Sequence, residues 1–332
     1  MLVRKMILMK KELTFTILLL VSGFSLAQNG TTVFNFLRLP HSAHATALGG
    51  ENITTIEDDL TLVFHNPALL SNVSDKTLNL NYTSYIEGSK VASAAFSRQF
   101  GERSAWAAFV QYMDYGDIVE TDEANNELGE LSAKDMAFMG TYNYLLSDRW
   151  SGGVTAKLIH GNYAGYTSYA IGVDLGINYF HEESDFSASL AFKNLGGQVK
   201  TFDEEHEKLP VNVQLGVTKR LAHAPIRLSV TLDDLAHWKS AYYNPSGKKV
   251  GFGDLLLNHM VFGVEVMPGD LFYIAAGYNC KRANDLSVEG GSKWTGLSIG
   301  GGLQLKRIKL GVAYANYHTA ASSLVMNFSV RL

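Results

Sequence analysis

The sequence predicts an all-β protein, a fourteen-stranded antiparallel transmembrane barrel of an outer membrane with an N-terminal plug segment. Three features favour this fold class. Apolar residues recur at every second position from Thr77 onward, which is the period of a strand. The connections between the apolar runs alternate between short and long, as in outer-membrane barrels. A secretory leader precedes both.

The period of two is clearest in "YTSYAIGVDLGINYF", residues 166–180. One face of this run is apolar, and the other carries mainly small and polar residues. The apolar face comprises Thr167, Tyr169, Ile171, Val173, Leu175, Ile177 and Tyr179. About fourteen such runs of roughly ten residues follow one another, as expected for a transmembrane barrel. They begin near Thr77, Lys90, Ser104, Lys134, Trp150, Tyr166, Phe186, Pro210, Ile226, His259, Phe272, Thr295, Ile308 and Ser323. The polar face holds few charges, which favours a membrane barrel over a soluble sandwich.

Loop length supplies the second argument. The even-numbered connections contain only short sequences, namely FGER, LLSDR, HEES, AHAP, PGD and KR. The long connections, 113–133, 196–209, 236–258 and 281–293, are all odd-numbered. In an outer-membrane barrel the periplasmic turns are short and the extracellular loops are longer. We therefore expect the N-terminus in the periplasm and the long connections outside the cell.

Residues 1–27 are typical of a secretory signal peptide. Four basic residues precede an apolar core at 13–21, and Ser25-Leu26-Ala27 forms a small-x-small cleavage site. We therefore predict a leader at 1–27, a plug at 28–76 and the barrel at 77–332. Cleavage removes four basic residues and one acidic residue, which takes the net charge from −4 to −7. An acidic chain argues against nucleic acid as a partner.

Cys280 is the only cysteine, so neither an intramolecular disulfide nor a zinc site built on thiolates is expected. His41 and His44 have no carboxylate at metal-site spacing, and we predict no metal and no cofactor. The acidic stretch 114–130 contains seven carboxylates, which are ligands that calcium prefers. It lacks the spacing of an EF-hand loop, and a solvated surface loop is the favoured interpretation. No run after the leader is apolar enough for a helical membrane span.

"GLSIG", residues 296–300, matches the nucleophile pattern G-x-S-x-G. That motif acts at a sharp turn between a strand and a helix. Ser298 instead lies in the middle of a predicted strand, and the glycines are interpreted as small lumen-side residues. We therefore predict that the protein is not an enzyme, with no catalytic residue.

Three ionisable residues lie inside predicted strands, Lys157, Asp174 and Glu265. A charged side chain that faces lipid at mid-depth costs about 2–4 kcal/mol for Lys or Arg. We therefore expect these residues to face the lumen and to pair with one another or with the plug. A structural network is favoured over a transport path.

The segment 33–70, "VFNFLRLPHSAHATALGGENITTIEDDLTLVFHNPALL", is neither strand-like nor disordered. Turns are predicted at Gly49-Gly50 and at Asp58-Asp59. Asn66 can cap a helical turn with Pro67 at its first position. Such a turn is not stable alone, so we expect the barrel lumen to enclose it. The predicted plug motif comprises Leu39, Pro40, Ala47, Gly49, Gly50, Asp58, Asp59, Asn66, Pro67 and Ala68.

This segment resembles the N-terminal signature of the PorV/PorQ family of type IX secretion outer-membrane proteins, which are related to FadL-type fourteen-stranded barrels. Residues 192–197 (FKNLGG), 209–238 and 255–265 (LLLNHMVFGVE) also fit this family, and the PorQ-like members are the most similar. The resemblance covers nearly the whole mature chain. It implies an outer-membrane barrel that does no chemistry itself.

The resemblance further implies a cell-surface attachment complex with PorZ-like, PorU-like and PorV-like partners, embedded in outer-membrane lipid. The barrel would hold the PorZ-like protein and support the processing and attachment of secreted cargo. Two loops, 113–133 and 236–258, are the candidate docking surface. The second contains Trp238, Tyr242, Tyr243 and Phe252, aromatic residues of the type that anchor interfaces. Packing of these rings on the barrel rim is an equally open interpretation.

The alternative function is that of a FadL-like transporter of fatty acids or other hydrophobic compounds. A continuous apolar tunnel through the lumen would favour transport, and a lumen filled by the plug would favour an anchor.

Overall fold

Alternating apolar and small residues form fourteen antiparallel strands, and the strands close into a barrel in the computed structural model. The structure describes residues 32–85, 88–121, 124, 126–239, 242, 244, 249–269, 271–286, 293–317 and 322–332. The predicted leader 1–27 and Tyr243 lie outside the described residues. The strands are β1 (Thr77–Ser84), β2 (Lys90–Phe100), β3 (Ser104–Thr121), β4 (Glu127–Ser147), β5 (Trp150–Tyr163), β6 (Tyr166–His181), β7 (Phe186–Lys200), β8 (Asn212–Arg220), β9 (Ile226–Leu232), β10 (Met260–Val266), β11 (Phe272–Asn279), β12 (Leu297–Gln304), β13 (Ile308–Asn316) and β14 (Ser322–Arg331).

Strands β1 and β14 close the barrel. They pair in an unbroken antiparallel register from Thr77 with Arg331 to Ser84 with Leu324. Closure leaves no sheet edge in the wall, which a bilayer requires because it cannot solvate unpaired N–H and C=O groups. The predicted fourteen-stranded architecture is therefore confirmed.

The two faces of β6 show why the sequence alternates. Ile171 and Leu175 are exposed on the outer face, whereas Asp174 and Asn178 are buried on the inner face. An outer face that meets lipid must be apolar, and the inner face must fit the lumen contents. The period of two in the sequence is the direct result of these two environments.

The even connections in the wall are short, as predicted. Residues 148–149 join β4 to β5, and residues 305–307 join β12 to β13. The longest connection, between β9 and β10, contains a 3-10 turn (Leu235–His237) and helix α2 (Phe252–Asn258). The next odd connection begins with helix α3 (Cys280–Asp285) and ends with a 3-10 helix (Lys293–Gly296). We refer to the end of the barrel that carries these helices as the extracellular end.

The prediction that 113–133 is a loop was wrong. Strand β3 continues to Thr121, and β4 begins at Glu127 instead of Lys134. Most of this stretch is exposed to solvent. No core or lipid selects an apolar face there, so the period of two is weak in the sequence. The acidic residues Asp117, Glu120, Glu127 and Glu130 lie in these strands.

The segment 32–76 fills the inside of the barrel with short helical pieces. Helix α1 is Ala43–Ala47, and three 3-10 helices span Asn35–Arg38, Leu60–Phe64 and Pro67–Asn72. Its large side chains, such as Phe36 and Leu60, pack in one buried cluster with small wall residues such as Ala107 and Ala137. Small residues on the inner face thus make room for the plug. Among the described residues, no helix is long and apolar enough to cross a membrane.

Candidate functional site: the plugged lumen and the extracellular rim

The Asn-Pro pair of the plug fixes its last helix against the wall. Asn66 Oδ1 accepts a hydrogen bond from the Ala68 amide at 2.9 Å, and Asn66 Nδ2 donates to the Ile53 carbonyl at 3.0 Å. Pro67 occupies the first turn of the 3-10 helix, where the missing N–H costs nothing. Asn143 Nδ2 and Ser151 Oγ of the wall both donate to the Ala68 carbonyl, at 3.0 and 2.9 Å.

Two wall glycines make this contact possible. A Cβ on Gly176 would lie 2.0 Å from Asn66 Oδ1, and a Cβ on Gly153 would lie 2.4 Å from the Pro67 carbonyl. Both distances are far below van der Waals contact, so any larger residue would displace the plug helix. Glycine in these strands therefore marks a close approach of the plug backbone to the wall.

The turn at Gly49 lies against the wall near the extracellular end. Gly49 has a φ of 103°, which favours glycine. A Cβ on Gly277 of β11 would lie 2.1 Å from the Gly49 amide nitrogen. Nearby, the Ser298 hydroxyl donates to the Ala47 carbonyl at 3.2 Å. Ser298 is therefore a lumen-facing residue of β12 that holds the plug.

The aspartate pair ties the plug to the opposite, periplasmic end. Asp59 Oδ1 caps the 3-10 helix that begins at Leu60, accepting from the Thr61 amide at 2.9 Å. The Asp58 carboxylate accepts from the Ser74 amide and pairs with Lys309 Nζ of β13 at 2.9 Å. Leu39 packs against the main buried cluster, and Pro40 is buried. The structure thus places all ten residues of the plug motif within the barrel.

The three strand charges face the lumen and are buried. Lys157 Nζ lies 2.7 Å from Asp174 Oδ2 and donates to Asn194 Oδ1 at 2.7 Å. The Asn194 amide donates to Asp174 Oδ1. Asn194 has a positive φ of 58°. It lies within the register shift between β6 and β7, opposite Asp174, and no pattern in the sequence indicated it.

Glu265 pairs with the plug. His44 Nε2 lies 2.8 Å from Glu265 Oε1, and Arg227 Nε donates to Glu265 Oε2 at 2.7 Å. Arg227 also pairs with Glu57 of the plug at 2.9 Å. The His44 ring stacks on Tyr273 with 4.1 Å between centroids. Two carboxylates and one guanidinium leave one negative charge, which a protonated His44 balances. Burial alone would lower the pKa of His44, but Glu265 and Glu57 outweigh it and hold the pKa above its ordinary value.

Asp234 organises the extracellular end. Lys281 of α3 pairs with Asp234 Oδ2, His237 Nδ1 lies 2.6 Å from Asp234 Oδ1, and Arg38 of the plug lies 4.0 Å away. Burial would raise the pKa of Asp234, but the charges of Lys281 and Arg38 and the hydrogen bonds from Lys281 and His237, with Lys281 foremost, hold it below its ordinary value. One carboxylate therefore joins the plug to two extracellular connections.

The predicted aromatic loop forms a partly packed patch on the rim. The Trp238 ring stacks on His259 with 4.6 Å between centroids, and the ring centroids of Phe252 and Trp238 are 5.9 Å apart. Trp238 and Tyr242 are half-buried, whereas Phe252 is 71% exposed. Leu257 of α2 and Trp294 are also exposed. The sequence did not indicate either residue; Leu257 lies in the long odd connection 236–258, and Trp294 directly follows 281–293.

Within the described residues, histidine, cysteine and carboxylate side chains do not assemble into a metal site. On the outer surface, a groove of about 750 Å³ crosses β1 and β11–β14, where Gly301 interrupts the row of apolar side chains.

Known proteins share both the fold and part of the sequence. The sequence model described as "Type IX secretion system protein PorV" matches residues 26–230. The chain belongs to the PorV family. Family membership makes it an outer-membrane barrel of the type IX secretion system, in agreement with the predicted function. No curated protein matches the sequence.

Solved structures share the fold of this PorV-family chain at low identity. The Pseudomonas putida toluene transporter TodX has a TM-score of 0.54 and 14% identity, and the match covers 90% of this chain and 98% of TodX. The monoaromatic hydrocarbon channel CymD has a TM-score of 0.53 and 12% identity, with 90% and 98% coverage. At this identity the likeness supports the barrel fold and nothing finer.

Proposed function

We propose that this PorV-family barrel is a PorQ-like anchor of a type IX attachment complex. In this role it holds a PorZ-like protein at the cell surface and works beside PorU-like and PorV-like proteins. The observation that carries the proposal is the fixed plug. Buried contacts tie the plug to the wall at the periplasmic end through Ala68 and in the lumen through His44. At the extracellular end, the partly exposed Arg38 lies 4.0 Å from Asp234 of the β9–β10 connection. A filled lumen favours a support over a conduit.

The rim patch supplies a docking surface for this anchor. We define the rim patch as Trp238, Phe252, Leu257 and Trp294. Tryptophan and phenylalanine are enriched at protein interfaces, and tryptophan is among the residue types that contribute most to binding. The stack of Trp238 on His259 fixes the base of the patch, so that little side-chain entropy is lost on binding.

Affinity purification of the tagged barrel from outer membranes tests this proposal. Phe252→Ser combined with Leu257→Ser is expected to reduce recovery of the PorZ-like protein at least tenfold. The control, Leu221→Ser with Leu271→Ser, changes two exposed leucines in turns at the other end of the barrel and is expected to leave recovery unchanged. Equal recovery with both variants would exclude the rim patch as the dock. Absence of attachment-complex proteins with the unaltered chain would contradict the proposed function.

The second candidate is transport of hydrophobic compounds, favoured by the likeness to the toluene transporter TodX and by the outer-wall groove at Gly301. The wall behind this groove is paired, with Gly301 opposite Ile274 on one side and Val312 on the other. Uptake of a radiolabelled fatty acid that falls at least tenfold on deletion of the chain would favour transport. Unchanged uptake would exclude it.

The leader is part of the proposal. Export would remove residues 1–27 and leave a mature chain that begins at Gln28. The intact mass of the protein purified from outer membranes tests this boundary.

A further inference from the structure

Strands β3 and β4 rise above their neighbours as a two-stranded ribbon. Pairing with β2 ends where Lys90 meets Asp114, and pairing with β5 begins where Ala133 meets Tyr163. Above these points residues 117–121 pair with 127–132. We call residues 117–121 and 127–132 the acidic ribbon. Five pairs at about 3.3 Å per residue carry it roughly 17 Å past the neighbouring strands.

The outer edges of the acidic ribbon have no strand partner among the residues that the structure describes. A two-stranded ribbon alone is marginally stable, and a free edge presents a row of N–H and C=O groups that can pair with another chain. The side chains of Ile118, Val119 and Leu128 are exposed on it, Leu128 by 62%. A free edge with exposed large apolar side chains is a place at which another chain can pair.

The two edges are not equivalent. The register between Glu120 and Thr121 shifts because Leu128 is an extra, bulged residue on β4. A bulge disrupts regular pairing and is a common way to block an edge. Strand β3 has an extra residue of its own between Asp114 and Asp117, at the base of the ribbon, but residues 117–121 above it contain no bulge. The edge formed by residues 117–121 is therefore the one that can accept another strand.

The negative charge of the acidic ribbon determines which kind of strand can pair with it. The sequence contains no lysine or arginine between Arg103 and Lys134 but seven acidic residues. Glu120 and Glu130 are both exposed. They belong to adjacent residue pairs of the ribbon and lie on its opposite faces. A second copy of the ribbon or another acidic strand would be repelled. A strand with lysine or arginine would pair with the carboxylates and lay its aliphatic stems over Ile118 and Val119.

We infer that the β3 edge of the acidic ribbon, residues 117–121, binds an extended lysine- or arginine-rich segment of a surface partner by strand addition. Main-chain hydrogen bonds of this kind give affinity, and side chains give specificity. This inference rests on the proposed function, because the barrel must have a partner at the cell surface.

A labelled peptide in which lysine alternates with valine is the probe, and its glutamate counterpart is the control peptide. The purified barrel in nanodiscs is expected to bind the lysine peptide and not the glutamate peptide in fluorescence anisotropy. Glu120→Lys with Glu130→Lys is expected to weaken binding at least tenfold. Glu204→Lys with Glu205→Lys makes the same charge change on exposed residues of the β7–β8 loop and is expected to weaken binding less than twofold.

Hydrogen exchange locates the binding site. The bound lysine peptide is expected to slow amide exchange at residues 117–121 at least tenfold. Unchanged exchange there, or equal loss of binding in both charge variants, would overturn the inference. The peptide assay uses only the purified barrel. A negative result in that assay would therefore leave the affinity purification of the attachment complex as an independent test of the proposed function. Failure to recover the complex with the unaltered chain would instead contradict the proposed function.

Discussion

His44 of the plug and Glu265 of the wall form a buried ion pair with 2.8 Å between Nε2 and Oε1. Arg227 and Glu57 extend the pair back to a second point of the plug. The plug is thereby held by charge as well as by packing. Charges enclosed in this way are costly to leave unpaired.

Removal of His44 should loosen the plug. His44→Ala leaves a buried network with an excess negative charge, and breaking a buried pair costs about 3–5 kcal/mol. We expect the free energy of unfolding in detergent to fall by about this amount and the plug to become sensitive to protease. His206→Ala alters an exposed histidine and should change neither quantity. Equal stability of the two variants would contradict the role of the pair.

His41 should make the barrel sensitive to acid. Burial, together with the charges of Lys193 and Lys157, lowers the pKa of His41 to about 3. Below about pH 6.5 an unfolded histidine takes up a proton that folded His41 does not. The unfolded state therefore binds more protons, and stability is lost as pH falls, by about 1.4 kcal/mol per pH unit.

The His41→Gln variant should lose part of this dependence. Between pH 6 and 4 we expect its free energy of unfolding to fall less steeply than that of the unaltered protein, by about one proton. Denaturant unfolding in micelles at several pH values measures the slope. His206→Gln should retain the original slope, and an equally steep slope in His41→Gln would contradict the assignment.

A methyl group on Gly176 should displace the Asn66-Pro67 turn. Its Cβ would lie 2.0 Å from Asn66 Oδ1, and we expect Gly176→Ala to cost about 1–3 kcal/mol, as for other overpacked sites. Gly140→Ala places a Cβ in open space and serves as the control. The temperature at which the folded barrel loses its gel mobility measures both. An equal melting temperature for the two variants would show that the Asn66-Pro67 turn accommodates the added methyl group.

Asp234 should control the reactivity of Cys280. Lys281 pairs with Asp234 and fixes the start of α3, which begins with the half-buried Cys280. Burial also raises the pKa of the Cys280 thiol. We expect Asp234→Asn to accelerate labelling of whole cells by an impermeant maleimide severalfold, because α3 loses its anchor.

Asp254→Asn, which changes an exposed carboxylate of α2, should leave the labelling rate unchanged. Labelling only in lysed cells would instead place Cys280 on the periplasmic side and contradict the topology.

The positions of the strands were predictable because lipid requires an apolar side chain at every second residue, on the outer face of each strand. The predicted starts at Thr77, Tyr166 and Ile308 coincide with the observed ones. The rule fails above the membrane. The start of β4 was missed because both faces of the ribbon around Glu127 and Glu130 are exposed, and no apolar period marks them.

The contacts of the plug were only partly predictable. The local sequence is enough for Asn66 to cap a turn with Pro67, because capping involves neighbours in the chain. The partner of Glu265 was not predictable, because His44 lies far away in the sequence and a closed barrel alone brings the two together. The sequence does contain an indication of Arg227. Together with Ser229 and Thr231 it occupies every second position of β9, on the inner face, where a charge requires a partner.

The fraction of the PorZ-like protein that stays on the cell surface tests the anchor role most directly. It is measured in cells with and without this chain, by comparing washed cells with the culture medium. We predict that deletion releases most of the PorZ-like protein into the medium and that the unaltered chain restores retention. An unchanged cell-bound fraction after deletion would contradict the central claim.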